Sequence, residues 1–274
     1  MFLNLGAMKP YHLIICLFLV MGCSTATKQE VAVAPVKKQR PSALDSGKFF
    51  DQDGKRMLYG GTLETQHFDV TNSELVDAQF HYGIGRERFP ALLEPQFTTI
   101  DVADSIWNND DRFLLAYKGK DVKAYSVKDL TRHEVVNDML DGEPIMAAYC
   151  VLADLGAIYE RTYGNNVLTF ALSGYTYYDE NVWDGLDGFV FWDRETESLW
   201  WPLIGRSVSG PLKGVKLLEM DKVHWKDTRW AEVKQQYPNA QVLISGQDYE
   251  RPTSWPRIED VSNIRSGFLQ TSEE

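Results

Sequence analysis

Short apolar and aromatic runs, interrupted at close intervals by glycine, asparagine and aspartate, constrain this chain to a fold built mainly from β-strands. Residues 113–117 (Phe-Leu-Leu-Ala-Tyr) and 122–127 (Val-Lys-Ala-Tyr-Ser-Val) flank Lys118-Gly119-Lys120-Asp121 and predict a hairpin. Residues 145–152 have the length and apolar character of a buried strand, preceded by a turn at Asp141-Gly142-Glu143-Pro144. Residues 157–163 and 167–172 enclose Gly164-Asn165-Asn166, and residues 189–192 and 198–201 lie on either side of a turn at Asp193-Arg194. Convincing helix is confined to residues 228–237, with Thr228 as N-cap and Pro238 as the stop signal. The expectation is a mainly β, β-rich α+β fold: a single antiparallel barrel- or sandwich-like domain with a few short helices.

Ahead of that domain an apolar run at residues 13–21 follows Lys9 and ends in Gly22 and Cys23. A short apolar stretch behind a cation, closed by a small residue, is the pattern of a secretory signal peptide. The run falls short of the roughly 20 apolar residues that a bilayer-spanning helix needs, and no Ala-x-Ala site follows it. Val20-Met21-Gly22-Cys23 resembles the lipobox of bacterial lipoproteins. That resemblance implies cleavage after residue 22 and lipid, palmitate included, on Cys23 as a membrane anchor. Ser24, standing where an aspartate would retain the protein at the inner membrane, implies by resemblance to Gram-negative sorting an outer-membrane protein facing the periplasm. Residues 23–47 carry Thr, Lys, Gln, Ala, Val and Pro without an apolar period and read as a flexible tether. The expected organisation is therefore a signal peptide at 1–22, a lipidated tether at 23–47, one globular domain at 48–248, and a polar, irregular tail at 249–274.

Charge and cysteine usage narrow the partners. The formal charge is −11, from 28 Lys and Arg against 39 Asp and Glu, and losing Lys9 with the signal takes it to −12. Nucleic acid and anionic lipid head groups both call for clustered cations, so neither is expected as a partner, and membrane attachment falls to the acyl chains. Of the three cysteines, Cys16 leaves with the signal and Cys23 takes lipid. Cys150 is left alone, so the domain has no internal disulfide and relies on a core drawn from 44% hydrophobic residues.

Four histidines follow the signal, His67, His81, His133 and His224, and none forms a His-x-His or His-x-x-x-His pair. His133-Glu134-Val135-Val136-Asn137-Asp138 approaches the His-Glu-x-x-His pattern of zinc peptidases, but Asn137 stands where the second imidazole is required. The acidic stretch from Asp179 to Gly188 misses EF-hand spacing because Asp184 falls one place late, and reads as a solvated loop. No metal or cofactor is expected on these grounds. Trp183, Trp192, Trp200 and Trp201, with Arg194 in the turn between them, are candidates for a ligand-stacking platform, although aromatics alternating along strands more often fill a core.

From residue 82 to 246 the order of motifs resembles an uncharacterised bacterial family, domain of unknown function 3179. The residues that carry the resemblance begin with Gly83-Ile84-Gly85-Arg86-Glu87-Arg88-Phe89-Pro90, Lys123-Ala124-Tyr125 and the His133 to Asp138 stretch. Tyr149-Cys150-Val151-Leu152, Ser173-Gly174, Trp192-Asp193-Arg194-Glu195-Thr196-Glu197-Ser198-Leu199-Trp200 and Gly210-Pro211-Leu212-Lys213-Gly214 follow, with Val242-Leu243-Ile244-Ser245 last. The resemblance implies an exported protein without an assigned activity. Relatives read Tyr-Cys-Pro-Leu-Cys where this chain reads Tyr149-Cys150-Val151-Leu152-Ala153, so the second thiol is missing. A lone thiol cannot form the internal disulfide that dithiol exchange requires. Two readings remain. The first is an envelope lipoprotein whose β domain is a non-catalytic module binding a protein or small molecule. The second is an enzyme or soft-metal site centred on Cys150, with His133 as base or second ligand.

The lipobox reading is checked by comparing the wild type with Cys23→Ala. The wild type is expected to incorporate labelled fatty acid, lose its signal and sediment with membranes, and the variant to fail in all three; identical behaviour refutes it.

Overall fold

Neighbouring segments of the chain pair as antiparallel hairpins through most of the computed structural model, which describes residues 44–183, 187–219, 224–244 and 255–270. The signal peptide, Cys23 and most of the tether lie outside the described residues, as does the centre of the acidic loop at 184–186. The strands are β1 (Asp45–Ser46), β2 (Phe49–Gln52), β3 (Lys55–Leu58), β4 (Phe68–Asp69), β5 (Phe80–Tyr82), β6 (Phe97–Thr98), β7 (Arg112–Lys118) and β8 (Asp121–Ser126). They continue as β9 (Val135–Leu140), β10 (Glu143–Cys150), β11 (Leu155–Glu160), β12 (Thr162–Tyr163), β13 (Asn166–Val167) and β14 (Phe170–Tyr177). The last are β15 (Gly188–Asp193), β16 (Leu199–Trp201), β17 (Arg206–Ser209), β18 (His224–Arg229) and β19 (Gln241–Leu243). Four short helices join them: α1 (Ile100–Ala103), α2 (Val127–His133), α3 (Trp230–Gln236) and α4 (Ser262–Phe268).

Three sheets make up the body, in the orders β1-β5-β14-β15-β16-β17, β11-β10-β9 and β18-β7-β8-β19-β6, with β2-β3-β4 and β12-β13 as smaller additions. Pairing is antiparallel except between β8 and β19. No sheet closes on itself among the described residues, so the mainly β expectation holds in its sandwich-like form.

Alternation along the strands explains the layering. Met146, Ala148 and Cys150 of β10 join the core against the six-stranded sheet, whereas Ile145, Ala147 and Tyr149 join a second core. The second core takes Leu114 and Ala116 of β7, and the opposite face of β7 sends Phe113 and Leu115 into a third, closed by Trp230 and Val233 of α3. Successive side chains on a strand point to opposite faces, so β10 and β7 each separate two cores. The three-stranded sheet is therefore the middle layer of the stack.

Local chemistry accounts for where the expected elements start and stop. The hairpin at Lys118 to Asp121 forms with Lys118 opposite Asp121. Between β9 and β10 the turn narrows to Asp141 and Gly142, both at positive φ (47° and 78°), as a two-residue type I′ loop requires. Pro144, expected in that turn, instead sits in β10 opposite Met139. The hairpin expected from residues 157–163 and 167–172 shrinks to the two-residue ladder of β12 and β13. Arg161 interrupts it: the guanidinium turns inward to the carbonyls of Ile145, Leu168 and Asp138 at 2.7, 2.6 and 3.1 Å, and β11 pairs with β10.

The helix expected at residues 228–237 begins at Trp230, because Thr228 stays in β18 opposite Phe113 and Arg229 is the N-cap. Helix α2 replaces the end of a predicted strand, its first turn fixed by Ser126 Oγ, which accepts from the Asp129 amide at 2.9 Å. Part of the expected tail is ordered: Ile264 of α4 is fully buried, and the Lys216 amide donates to the Phe268 carbonyl at 2.9 Å. Gly174 marks a close backbone crossing, since a Cβ there would lie 2.1 Å from the carbonyl of Gly85. Its φ of +82° coincides with the bulge in β14.

Candidate functional site around Cys150

Cys150 ends β10 and is only 2% exposed. Burial pushes its thiol up to about 11; the nearby Glu134 carboxylate adds to the rise, and the amides of Ala153, Phe189 and Leu152 oppose it. Its sulfur lies 3.9 Å from the Asp187 carbonyl oxygen, a weak contact. The turn that follows is held by Asp154 (φ 51°), which accepts from Tyr149 Oη and from Arg112 Nη1, each at 2.5 Å. Ala153, at the position of the relatives' second cysteine, is partly buried against the first core and offers no thiol.

Among the described residues no hydrogen bond joins His133 to Cys150. The imidazole is the last residue of α2, and its Nδ1 lies 2.8 Å from the Pro90 carbonyl oxygen. No imidazole figures among the groups that set the thiol's ionisation. The residue that does reach the thiol electrostatically is Glu134, the αL C-cap of α2 at φ 55°. Its backbone is fixed on both sides, donating to Leu130 at 2.6 Å and accepting from Tyr149 at 2.9 Å. Its carboxyl, in a residue 9% exposed, has no hydrogen-bond partner among the described residues, and burial raises it to about 7. In the sequence Glu134 counts only as part of a failed zinc motif, and nothing local marks it as a left-handed residue beside a cysteine.

A second polar group lies on the facing sheet. Thr176 of β14 pairs directly with His81 on β5 and with Phe189 on β15, so the three side chains share a face. Thr176 Oγ1 donates to Asp187 Oδ2 at 3.1 Å, and His81 Nδ1 approaches the same oxygen at 2.8 Å without aligning its N–H toward it. Both side chains of that His–Asp pair are largely buried. The sequence places these two residues more than a hundred positions apart, and the β5–β14 and β14–β15 pairings bring them together.

Between the two sheets lies a cavity of about 140 Å³. Its origin is legible in the β10–β11 register, where Cys150 faces Leu155, Ala148 faces Ala157 and Met146 faces Tyr159. Two alanines in the middle row leave a gap that Phe189, Pro202 and Leu203 cover without filling.

The tryptophan platform does not assemble as a surface. Trp192, Trp200 and Trp201 are buried in the first core. Trp200 Nε1 donates to Asp193 at 2.8 Å, Arg86 stacks 3.6 Å from the Trp192 ring, and Trp201 meets Tyr177 edge-on at 4.7 Å. Arg194 is equally buried and makes a bidentate pair with Glu87 at 2.8 and 2.7 Å. These residues read as core and its polar lock, because they follow strand alternation into a sheet covered on both faces. Trp183 is half-buried beside the acidic loop, where Asp179 Oδ1 accepts from both nitrogens of Asn181. His67 accepts from the Gly60 amide at 3.2 Å and His224 lies against Tyr117, each away from Cys150. Among the described residues no group of three or more His, Cys, Asp or Glu is placed to hold a metal ion.

The model of a family described as a protein of unknown function, DUF3179, matches residues 86–261. No curated protein and no solved structure matches the chain.

Glu134 gives this site a pH signature. Its folded value of about 7 lies above the ordinary 4.5, so the folded state holds the extra proton between those limits. Stability from this group is accordingly complete below about pH 4.5 and is lost as pH rises through 7. Glu134→Gln is expected to match the wild type at low pH and to exceed it at high pH by up to about 3 kcal/mol in urea unfolding. A variant no more stable than wild type above about pH 8 contradicts this account.

Proposed function

The chain belongs to the DUF3179 family, and from that premise we propose that it is a membrane-tethered lipoprotein of the cell envelope with a binding domain and no thiol chemistry. Lipid on Cys23 holds it in the outer membrane facing the periplasm, and the tether to about residue 47 gives the β domain reach toward a protein or small-molecule partner. The observation that carries the non-catalytic reading is the state of Cys150: a buried thiol pushed up to about 11, its neighbour Ala153 unable to pair with it. A nucleophilic or metal-binding cysteine needs the thiolate, which requires a cation, an imidazole or a helix N-terminus close by. Here the charge that bears on the sulfur is the carboxylate of Glu134, which works against ionisation. The competing reading is an enzyme or soft-metal site of Cys150 with His133, in which the Pro90 carbonyl would hold Nδ1 and leave Nε2 as base or ligand.

The two readings separate in a thiol-labelling experiment on the native full chain at neutral pH. With the thiol raised from 9.0 to about 11, the thiolate fraction at neutral pH falls about a hundredfold, so native labelling is expected to be slower than labelling in denaturant. Cys150→Ser is expected to cost stability more than any activity. Rapid native labelling that disappears in His133→Ala overturns the binding-module reading in favour of a Cys–His site.

A further inference from the structure

The cavity over the Ala148–Ala157 pair has features that select an occupant. Its floor is the row of two methyl groups, with Cys150 and Leu155 on one side and Tyr159 on the other. Phe189, Pro202 and Leu203 form the opposite wall. None of these lining residues carries a formal charge at neutral pH, since burial pushes both the Cys150 thiol and the Tyr159 hydroxyl upward, to about 11 and about 12. A volume of about 140 Å³ in a partly open, apolar-lined pocket is enough to admit a single benzene-sized molecule. An ionised ligand would lose its hydration there without gaining a partner.

We propose that this cavity is a binding site for a small neutral apolar group, of the size of one aromatic ring, presented by a free molecule. The inference rests on the reading that the Cys150 region binds and does not react, and it adds the class of ligand. Selectivity comes from size and neutrality: the alanine pair sets the depth, and the uncharged walls exclude carboxylates and ammonium groups. The Cys150 sulfur, as a lining atom, reports occupancy without taking part in any covalent step.

The test uses the purified full chain in detergent, with empty micelles subtracted, and fluorobenzene followed by fluorine NMR. Wild type is expected to show saturable binding, with fluorobenzoate at least about a hundredfold weaker because its charge would be buried unpaired. Saturating fluorobenzene is expected to slow modification of Cys150 further, which places the ring at this cavity. Ala157→Leu fills the gap and is expected to weaken binding at least about tenfold while keeping the native tryptophan near-UV signal. Should that variant fail to fold, Ala148→Val supplies the same comparison with a smaller side chain. Absence of a saturable wild-type component, equal binding of fluorobenzoate, or unchanged binding in a folded cavity-filled variant overturns the proposal. Failure here with a slow Cys150 thiol removes only the ligand assignment, whereas a fast thiol removes the reading beneath it.

Discussion

Strand β10 is buried on both faces, and the rest of the molecule is organised around that constraint. Its odd-numbered side chains enter one core and its even-numbered ones another, so the strand is a shared wall. Nearly all of its residues must then be apolar or small, as Ile145-Met146-Ala147-Ala148-Tyr149-Cys150 are. A charged thiolate at its end would lie in the least favourable part of the fold for an anion. The chemical silence proposed for Cys150 follows from where the strand runs more than from any single neighbour.

Layers this apolar gain their alignment from a few buried polar locks. Asn137 of β9 exchanges two hydrogen bonds with the backbone of Phe170 on β14, at 2.8 and 2.9 Å, which ties the middle sheet to the six-stranded one. Arg161 gathers three carbonyls beside it, and Arg194 pairs with Glu87 across the first core. Asp193, fully enclosed and raised to about 7 by burial, still accepts from the Thr196 amide at 2.7 Å and from Trp200 Nε1 at 2.8 Å. A buried polar group that loses its partner costs far more than the bond contributes. Such locks therefore penalise any slipped register heavily. The polar motif from Trp192 to Trp200 serves this purpose, with its charges spent inside the protein.

Both strands of the hairpin at Gly119, and β10 after the turn at Asp141-Gly142, were legible because strand and turn signals coincide there, whereas β9 was not read as a strand. Helix α2 was not, since its seven residues follow a strand directly and its one strong signal is the Ser126 cap. The interruption at Arg161 was hidden for a different reason: a buried arginine satisfied by carbonyls has no sequence pattern. Cys150 and its missing partner were legible from the chain, but Glu134 and the His81–Asp187 pair were not. Each depends on a contact between residues brought together only by sheet pairing or by a left-handed backbone. The aromatic residues misled in the opposite direction, because alternation fits a platform and a core equally well until both faces of the sheet are seen to be covered.

The claim on which the functional account turns is that Cys150 is held as a neutral thiol by its place in β10. Thiolate absorbance of the native full chain, followed against pH with Cys150→Ser as the blank, measures this directly. Half-ionisation is expected at about pH 11. A native midpoint at or below the ordinary value of 9.0 would contradict the account and put a reactive thiol at the centre of the domain.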